Sequence, residues 1–172
     1  DGLCDGVRAD GDGDGIDPPD PCVSSEGTAG TQIQDPDTDA DGLLDGFEVA
    51  AGFDPLVPGE QTLDPDADTL DNLAEQAAGT DPNDVDSDDD GILEGAEDAN
   101  ADGVLDVGES DPADPDTDDD GLCDGARSDN DSDGIDPADP CTGSEVAAGT
   151  DPRDDDSDGD GLLDGFEVLS LI

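Results

Sequence analysis

Single aliphatic residues recur in this chain at a fixed distance behind runs of alternating acids. Leu43, Leu70, Ile92, Val104 and Leu162 each stand two places after the last aspartate of such a run. The apolar stretches that read as helical are short. FEVAAG at 47–52 and NLAEQAAG at 72–79 leave acidic runs and end at Gly52 and Gly79, where glycine suits a left-handed cap. Asp-Pro follows each and starts a new turn. No helix of normal length precedes a run, so the pattern predicts half-motifs, sparse secondary structure and little sheet.

Composition explains why a large apolar core is not expected. The 172 residues include no Met, Trp or Tyr and only three aromatics, Phe47, Phe53 and Phe166. The net charge is −51, with three arginines and no lysine or histidine, which on its own predicts a self-repelling, expanded chain. Folding therefore requires a positively charged partner. Nucleic-acid phosphates and anionic membranes are excluded by sign, and small cations remain. The type of acid agrees: only nine of the 54 acids are Glu, whereas a generic solvating tract has no reason to avoid Glu.

Two periods organise the sequence. Residues 1–49 align without gaps on 120–168, with 34 identities, so the long unit is 119 residues. The chain reads as one unit at 1–119 and the start of the next at 120–172, and its opening inside a motif reads as part of a longer array. Within the unit a twelve-residue pattern recurs. It is DxDxDG, an aliphatic residue, a variable one, an acid or amide, two more residues and Glu.

Calcium takes six to eight oxygens at about 2.3–2.6 Å, and a tight loop supplies them from positions 1, 3, 5, 7, 9 and 12. In DTDADGLLDGFE those ligands are Asp37, Asp39, Asp41, the Leu43 carbonyl, Asp45 and Glu48, with Gly42 at the bend. DPDADTLDNLAE offers Asp64, Asp66, Asp68, Leu70, Asn72 and Glu75, with Thr69 in place of the glycine. DSDDDGILEGAE offers Asp86, Asp88, Asp90, Ile92, Glu94 and Glu97, and DANADGVLDVGE offers Asp98, Asn100, Asp102, Val104, Asp106 and Glu109. DSDGDGLLDGFE offers Asp156, Asp158, Asp160, Leu162, Asp164 and Glu167. A disordered acidic linker explains neither the placement of Glu at position 12 nor the aliphatic residue at position 7. Asp35, Asp84, Asp114 and Asp154, two residues before a loop, and Asp81, Asp111 and Asp151, five before, either extend the sites to a second ion or serve as turn residues. One calcium per loop is the floor.

Other copies depart from the pattern. The loop at Asp116 keeps Asp116, Asp118, Asp120, Leu122 and Asp124 but has Arg127 at position 12, and Arg8 repeats this in the truncated copy at Asp1. Such sites are either weaker or completed by an acid from the next segment, and the arginines themselves bridge neighbouring carboxylates. The loops at Asp10 (Asp10, Asp12, Asp14, Ile16) and Asp129 (Asp129, Asp131, Asp133, Ile135) have proline at positions 9 and 12, leaving Asp20 and Asp139 as substitutes. EVAAGTDP from Glu145 parallels EVAAGFDP from Glu48, which gives Glu145 the structural place of Glu48. Cys4 and Cys22, like Cys123 and Cys141, are 18 apart. A disulfide within each pair staples consecutive loops; zinc is the alternative, disfavoured without histidine.

The stretches GTDPNDVDSDDDGILEGAE and GTDPRDDDSDGDGLLDGFE resemble the thrombospondin type 3 repeats, in particular their bacterial form. The resemblance implies an irregular, calcium-dependent array of EF-hand-like loops wrapping a line of ions, with disulfides between neighbouring loops. It also implies an extracellular or cell-surface setting, as a stalk or adhesive spacer.

The first functional expectation is a calcium-stiffened structural repeat, a stalk, surface rod or filament, with copies of itself or other surface proteins as partners. The second is a calcium-dependent docking or adhesion module, which needs apolar anchors that are scarce here. The third is a calcium buffer or mineral-binding acidic protein, which needs neither disulfides nor an ordered Glu. An enzyme is not expected, because the chain has no histidine, no lysine and no nucleophile beside a base. No membrane insertion is expected in this segment.

Overall fold

The computed structural model describes residues 3–4, 24–25, 29–32, 35–126, 141 and 143–170. Its contacts divide the chain into two compact units, Asp1–Leu63 and Asp64–Ile172. This boundary falls inside the 119-residue sequence period.

In the first unit, strands β1 (Leu3–Cys4) and β2 (Ser24–Ser25) pair in parallel, with Cys4 opposite Ser25. Helix α1 (Asp45–Ala51) leaves the loop at Asp37, and a 3-10 turn (Glu60–Thr62) returns to it. In the second unit, α2 (Asn72–Ala78), α3 (Glu94–Glu97), α4 (Glu145–Ala148) and α5 (Asp164–Ser170) are separated by irregular chain. An isolated parallel bridge joins Cys123 to Ser144, in the same register as Cys4 with Ser25.

The helices are short because each is enclosed by the motif. Helices α1, α2, α3 and α5 all begin at position 9 of a loop. Helices α1, α2 and α4 end at Gly52, Gly79 and Gly149, whose φ of 87°, 95° and 82° is the left-handed region that glycine adopts without a Cβ clash. In each case the capping N–H binds the carbonyl of the glutamate four residues earlier, Glu48, Glu75 or Glu145.

The apolar interior is small. Leu43, Leu70 and Leu122, all at position 7, are fully buried, whereas Val104 and Leu162 at the same position are exposed. Three buried leucines contribute about 2 kcal/mol each. Ordering the backbone costs about 1 kcal/mol or more per residue, so leucine burial cannot hold these units together. Among the described residues, buried polar and charged side chains outnumber buried apolar ones.

Two backbone positions in every complete loop lie at positive φ. At position 6 these are Gly42, Thr69, Gly91, Gly103 and Gly161, and at position 4 Ala40, Ala67, Asp89, Ala101 and Gly159. Thr69, at φ 102°, is the β-branched exception in a region that such residues avoid. Replacing Thr69 by Gly is expected to raise stability by about 1 kcal/mol. Denaturant unfolding in saturating calcium reads it, and a destabilised Thr69→Gly would refute the strain.

Candidate cation sites

Each loop is drawn around its aspartates by its own amides. At Asp37, the position 5 N–H reaches Oδ1 of Asp37 and of Asp39, both at 3.2 Å, and the Gly42 N–H reaches Asp37 Oδ2 at 3.1 Å. The position 7 N–H donates to the position 5 carboxylate in all the loops described: Leu43 to Asp41, Leu70 to Asp68, Ile92 to Asp90, Val104 to Asp102, Leu122 to Asp120 and Leu162 to Asp160. The position 9 N–H closes the loop on the carbonyl just before position 1, as Asp45 to Pro36 at 2.9 Å and Asp124 to Pro115 at 3.0 Å.

The result is converging carboxylates. Asp37, Asp39 and Asp41 bring oxygens within 4.8 Å of one another, as do Asp64, Asp66 and Asp68, Asp86, Asp88 and Asp90, and Asp116, Asp118 and Asp120. Asp90 and Glu97 of one loop also meet Asp124 of another within that distance. The loop at Asp98 uses the same amide pattern, with Gly103 N–H on Asp98 at 2.7 Å and Asp102 N–H on Asn100 at 3.0 Å. Its Glu109 accepts the Asp106 N–H at 3.0 Å. In the loop at Asp156, Asp158 and Asp160 are exposed and Glu167 half-buried. The ligands expected at Asp10, Asp12, Asp14, Ile16 and Asp20, and at Asp129, Asp131, Asp133, Ile135 and Asp139, lie outside the described residues, as does the Cys4–Cys22 pairing. Cys123 and Cys141 form a disulfide.

Position 9 also braces the loop. Asp45 accepts the Thr38 N–H and hydroxyl at 2.7 and 2.8 Å, Asp124 those of Thr117 at 3.1 and 2.6 Å, and Glu94 and Asp164 the N–H of Ser87 and Ser157. The hydroxyl at position 2 in turn accepts an N–H from five residues before the loop, at Asp81, Asp111 and Asp151. Asp81, Asp111 and Asp114 use their carboxylates in local turns, accepting from Asn83, Ala113 and Asp116. That favours the turn role over the second-ion role for these acids.

The position 12 glutamates carry the strongest signal. Glu48 and Glu75 are fully buried, and neither oxygen of either has a hydrogen-bond partner. Glu97 is buried with Oε1 on the Ser110 hydroxyl at 2.9 Å and Oε2 unpartnered. These carboxylates are closed to solvent. Burial, then Asp39, Asp41 and Asp45, pushes Glu48 up to about 8. Burial, then Asp66, Glu94 and Asp68, pushes Glu75 to about 9. Burial and the charges of Asp88 and Asp90 push Glu97 to about 9, and burial and Asp90 push Asp88 to about 8. Buried like charges of this kind are costly unless a cation or a proton offsets them.

The loops also touch one another, through a position to which the sequence motif gave no role. The position 10 N–H of Gly95 donates to Asp68 at 2.9 Å, Gly125 to Asp90 at 2.5 Å, and Gly165 to Asp120 at 2.6 Å. In every case a position 10 glycine meets the position 5 aspartate of an earlier loop. The repeated acid-Gly at positions 9 and 10, Glu94-Gly95, Asp124-Gly125 and Asp164-Gly165, was the available signal. In the first unit the same service to Asp41 comes from Gly59 and Glu60, at 2.9 and 3.1 Å.

Residues 37–58, 73–85 and 156–169 match the bacterial TSP3 repeat. Those three segments are similar to bacterial TSP3 repeats. No curated protein and no solved structure matches it. TSP3 repeats are calcium-binding modules, and the residues present fit that ion: the donors are hard oxygens, and buried glutamate oxygens face them without a partner. Among the described residues, no helix is long and apolar enough to cross a membrane.

Proposed function

We propose that the chain is a calcium-binding structural repeat of the extracellular space or cell surface, a stalk, rod or filament segment stiffened by calcium. The observation that carries this reading is the buried, unpartnered carboxylate at position 12. Glu48 and Glu75 face the aspartates of their own loops, and among the described residues no cationic side chain stands among the charges that shift them. Calcium supplied to the EF-hand-like loops offsets this charge and ties both ends of each loop to one point. Extracellular calcium near the millimolar range fills even weak loops of this type. The 119-residue unit, carrying its disulfide-stapled insert, is the proposed module of a longer array, whose neighbours are copies of the chain or other surface proteins. The chemistry of the loops is that of ligands, with no acid–base or nucleophilic role.

Glu75→Gln tests the reading. In equilibrium dialysis against calcium it is expected to weaken one site by about tenfold or more, a difference of about 1.4 kcal/mol per decade. An unchanged binding curve would overturn the assignment of Glu75 as a ligand.

A further inference from the structure

We infer that the loop at Asp116 is closed from a separate segment by Glu145, and that the Cys123–Cys141 disulfide delivers it. The inference rests on the proposed calcium binding and adds a composite site to it. The loop's own position 12 is Arg127, which has no carboxylate to offer.

The backbone marks the substitute. In four of the five complete loops, the position 12 glutamate donates its N–H to the carbonyl of position 8: Glu48 to Leu44 at 3.0 Å, Glu75 to Asp71 at 3.0 Å, Glu97 to Leu93 at 3.2 Å and Glu167 to Leu163 at 3.1 Å, whereas Glu109 donates to Asp106 at 3.2 Å. Position 8 of the loop at Asp116 is Cys123, and its carbonyl accepts from Glu145 at 2.8 Å. Glu145 then accepts the Gly149 N–H with its own carbonyl, as Glu75 does with Gly79. Glu145 thus holds both backbone contacts of a twelfth residue, although it lies far along the chain.

Its side chain behaves the same way. Glu145 is 1% exposed, and neither carboxylate oxygen has a hydrogen-bond partner. Burial and then the charges of Asp120 and Asp118 push it up to about 7, an effect moderated by the Thr150 hydroxyl, which stops short of hydrogen-bond geometry. Asp164, at position 9 of the loop at Asp156, adds to that field, just as Glu94 of the loop at Asp86 adds to the field at Glu75.

Chain continuity, which places position 12 elsewhere, is replaced here by three links around Cys123. Its sulfur bonds Cys141, its N–H donates to Gly143 at 3.1 Å, and it pairs with Ser144 immediately before Glu145. The pairing of Cys4 with Ser25 repeats this register. There Arg8 stands at position 12 and Glu26 follows Ser25 in sequence.

Calorimetric titration of the full chain with calcium alone tests the inference, using Glu145→Gln, the pair Cys123→Ser/Cys141→Ser, all three changes together, and Arg127→Glu on the cysteine pair. Glu145→Gln and the cysteine pair should each weaken one and the same site by about tenfold or more, and the triple variant should be no worse than either. Arg127→Glu should restore the site without the disulfide, by returning a carboxylate to position 12. If Glu145→Gln keeps every site at wild-type affinity while Glu75→Gln weakens one, the composite site is wrong and calcium binding stands. If the wild-type chain takes up no calcium, both readings fail.

Discussion

Chelation of calcium at pH 8 is expected to abolish the helical circular dichroism of this chain and to expand it. The radius of gyration should rise towards roughly 40 Å, the value for an unfolded chain of this length. The apolar interior is too small to resist, since its fully buried large side chains are Leu43, Leu70 and Leu122. What calcium opposes is the mutual repulsion of carboxylates that folding has removed from water. Each site that binds only the folded chain adds about 2.7 kcal/mol at a calcium concentration 100 times its Kd, so several sites together supply most of the stability. Acid should partly replace the ion. In the compact chain Glu75 and Glu97 lie at about 9 and Glu48 and Asp88 at about 8, all raised above their ordinary values. The charging penalty is absent below the ordinary carboxylate range and grows as pH rises through those folded values. The chelated chain should therefore keep more helix and a smaller radius at pH 5 than at pH 8. Circular dichroism and small-angle scattering at both pH values decide this. Retention of helix and radius after chelation at pH 8 would remove the basis of the proposed function.

How much of this was legible in the sequence depended on whether a role needs a particular side chain. The converging carboxylates at positions 1, 3 and 5 and the buried Glu at position 12 of the loops at Asp37, Asp64 and Asp86 could be read directly, because each place takes one kind of side chain. Gly52 and Gly79 were readable as helix ends for the same reason. Position 4 was not, because its left-handed backbone is occupied by Ala40, Ala67, Asp89, Ala101 or Gly159, and the surrounding amide-to-carboxylate bonds impose it on whatever residue is there. The turn expected at 72–79 begins where α2 does, whereas that expected at 47–52 begins earlier, because α1 starts at Asp45, position 9 of its loop. The closing N–H of Asp45 and Asp164 starts the helix as it completes the loop. Val104 and Leu162 share the aliphatic pattern of Leu43 but are exposed, since packing depends on a neighbour that a one-loop motif does not contain. Arg153 chelates Asp151 and donates to the Gly108 carbonyl at 2.6 Å. This long-range contact has no local sequence signature.

Position 10 is where the loop-to-loop information was hidden, and it carries the largest expected effect of a single substitution. A Cβ on Gly125 would stand 2.5 Å from the Asp90 carbonyl oxygen and 2.7 Å from Asp90 Oδ1. On Gly165 it would overlap the Asp120 carbonyl, and on Gly95 the Asp68 carbonyl and the Thr69 hydroxyl. The obstacle is mostly backbone, so it cannot swing aside as a flexible side chain would. Gly125→Ala and Gly165→Ala should each cost about 3 kcal/mol, from overpacking of about 1–3 kcal/mol plus loss of an N–H bond to a carboxylate. Gly149→Ala is the matched control. Its φ is also positive, but a Cβ there meets nothing within 4 Å, so it should cost only about 1 kcal/mol. Leu73, which occupies position 10 of the loop at Asp64, is exposed, and Leu73→Ala should change stability by less than about 0.5 kcal/mol. Denaturant unfolding in saturating calcium separates these variants. The affinity of two sites should fall together in Gly125→Ala, because the glycine belongs to the loop at Asp116 and its partner Asp90 to the loop at Asp86. If Gly125→Ala costs no more than Gly149→Ala, the loops fold and bind independently, and the glycine contact is incidental to their stability.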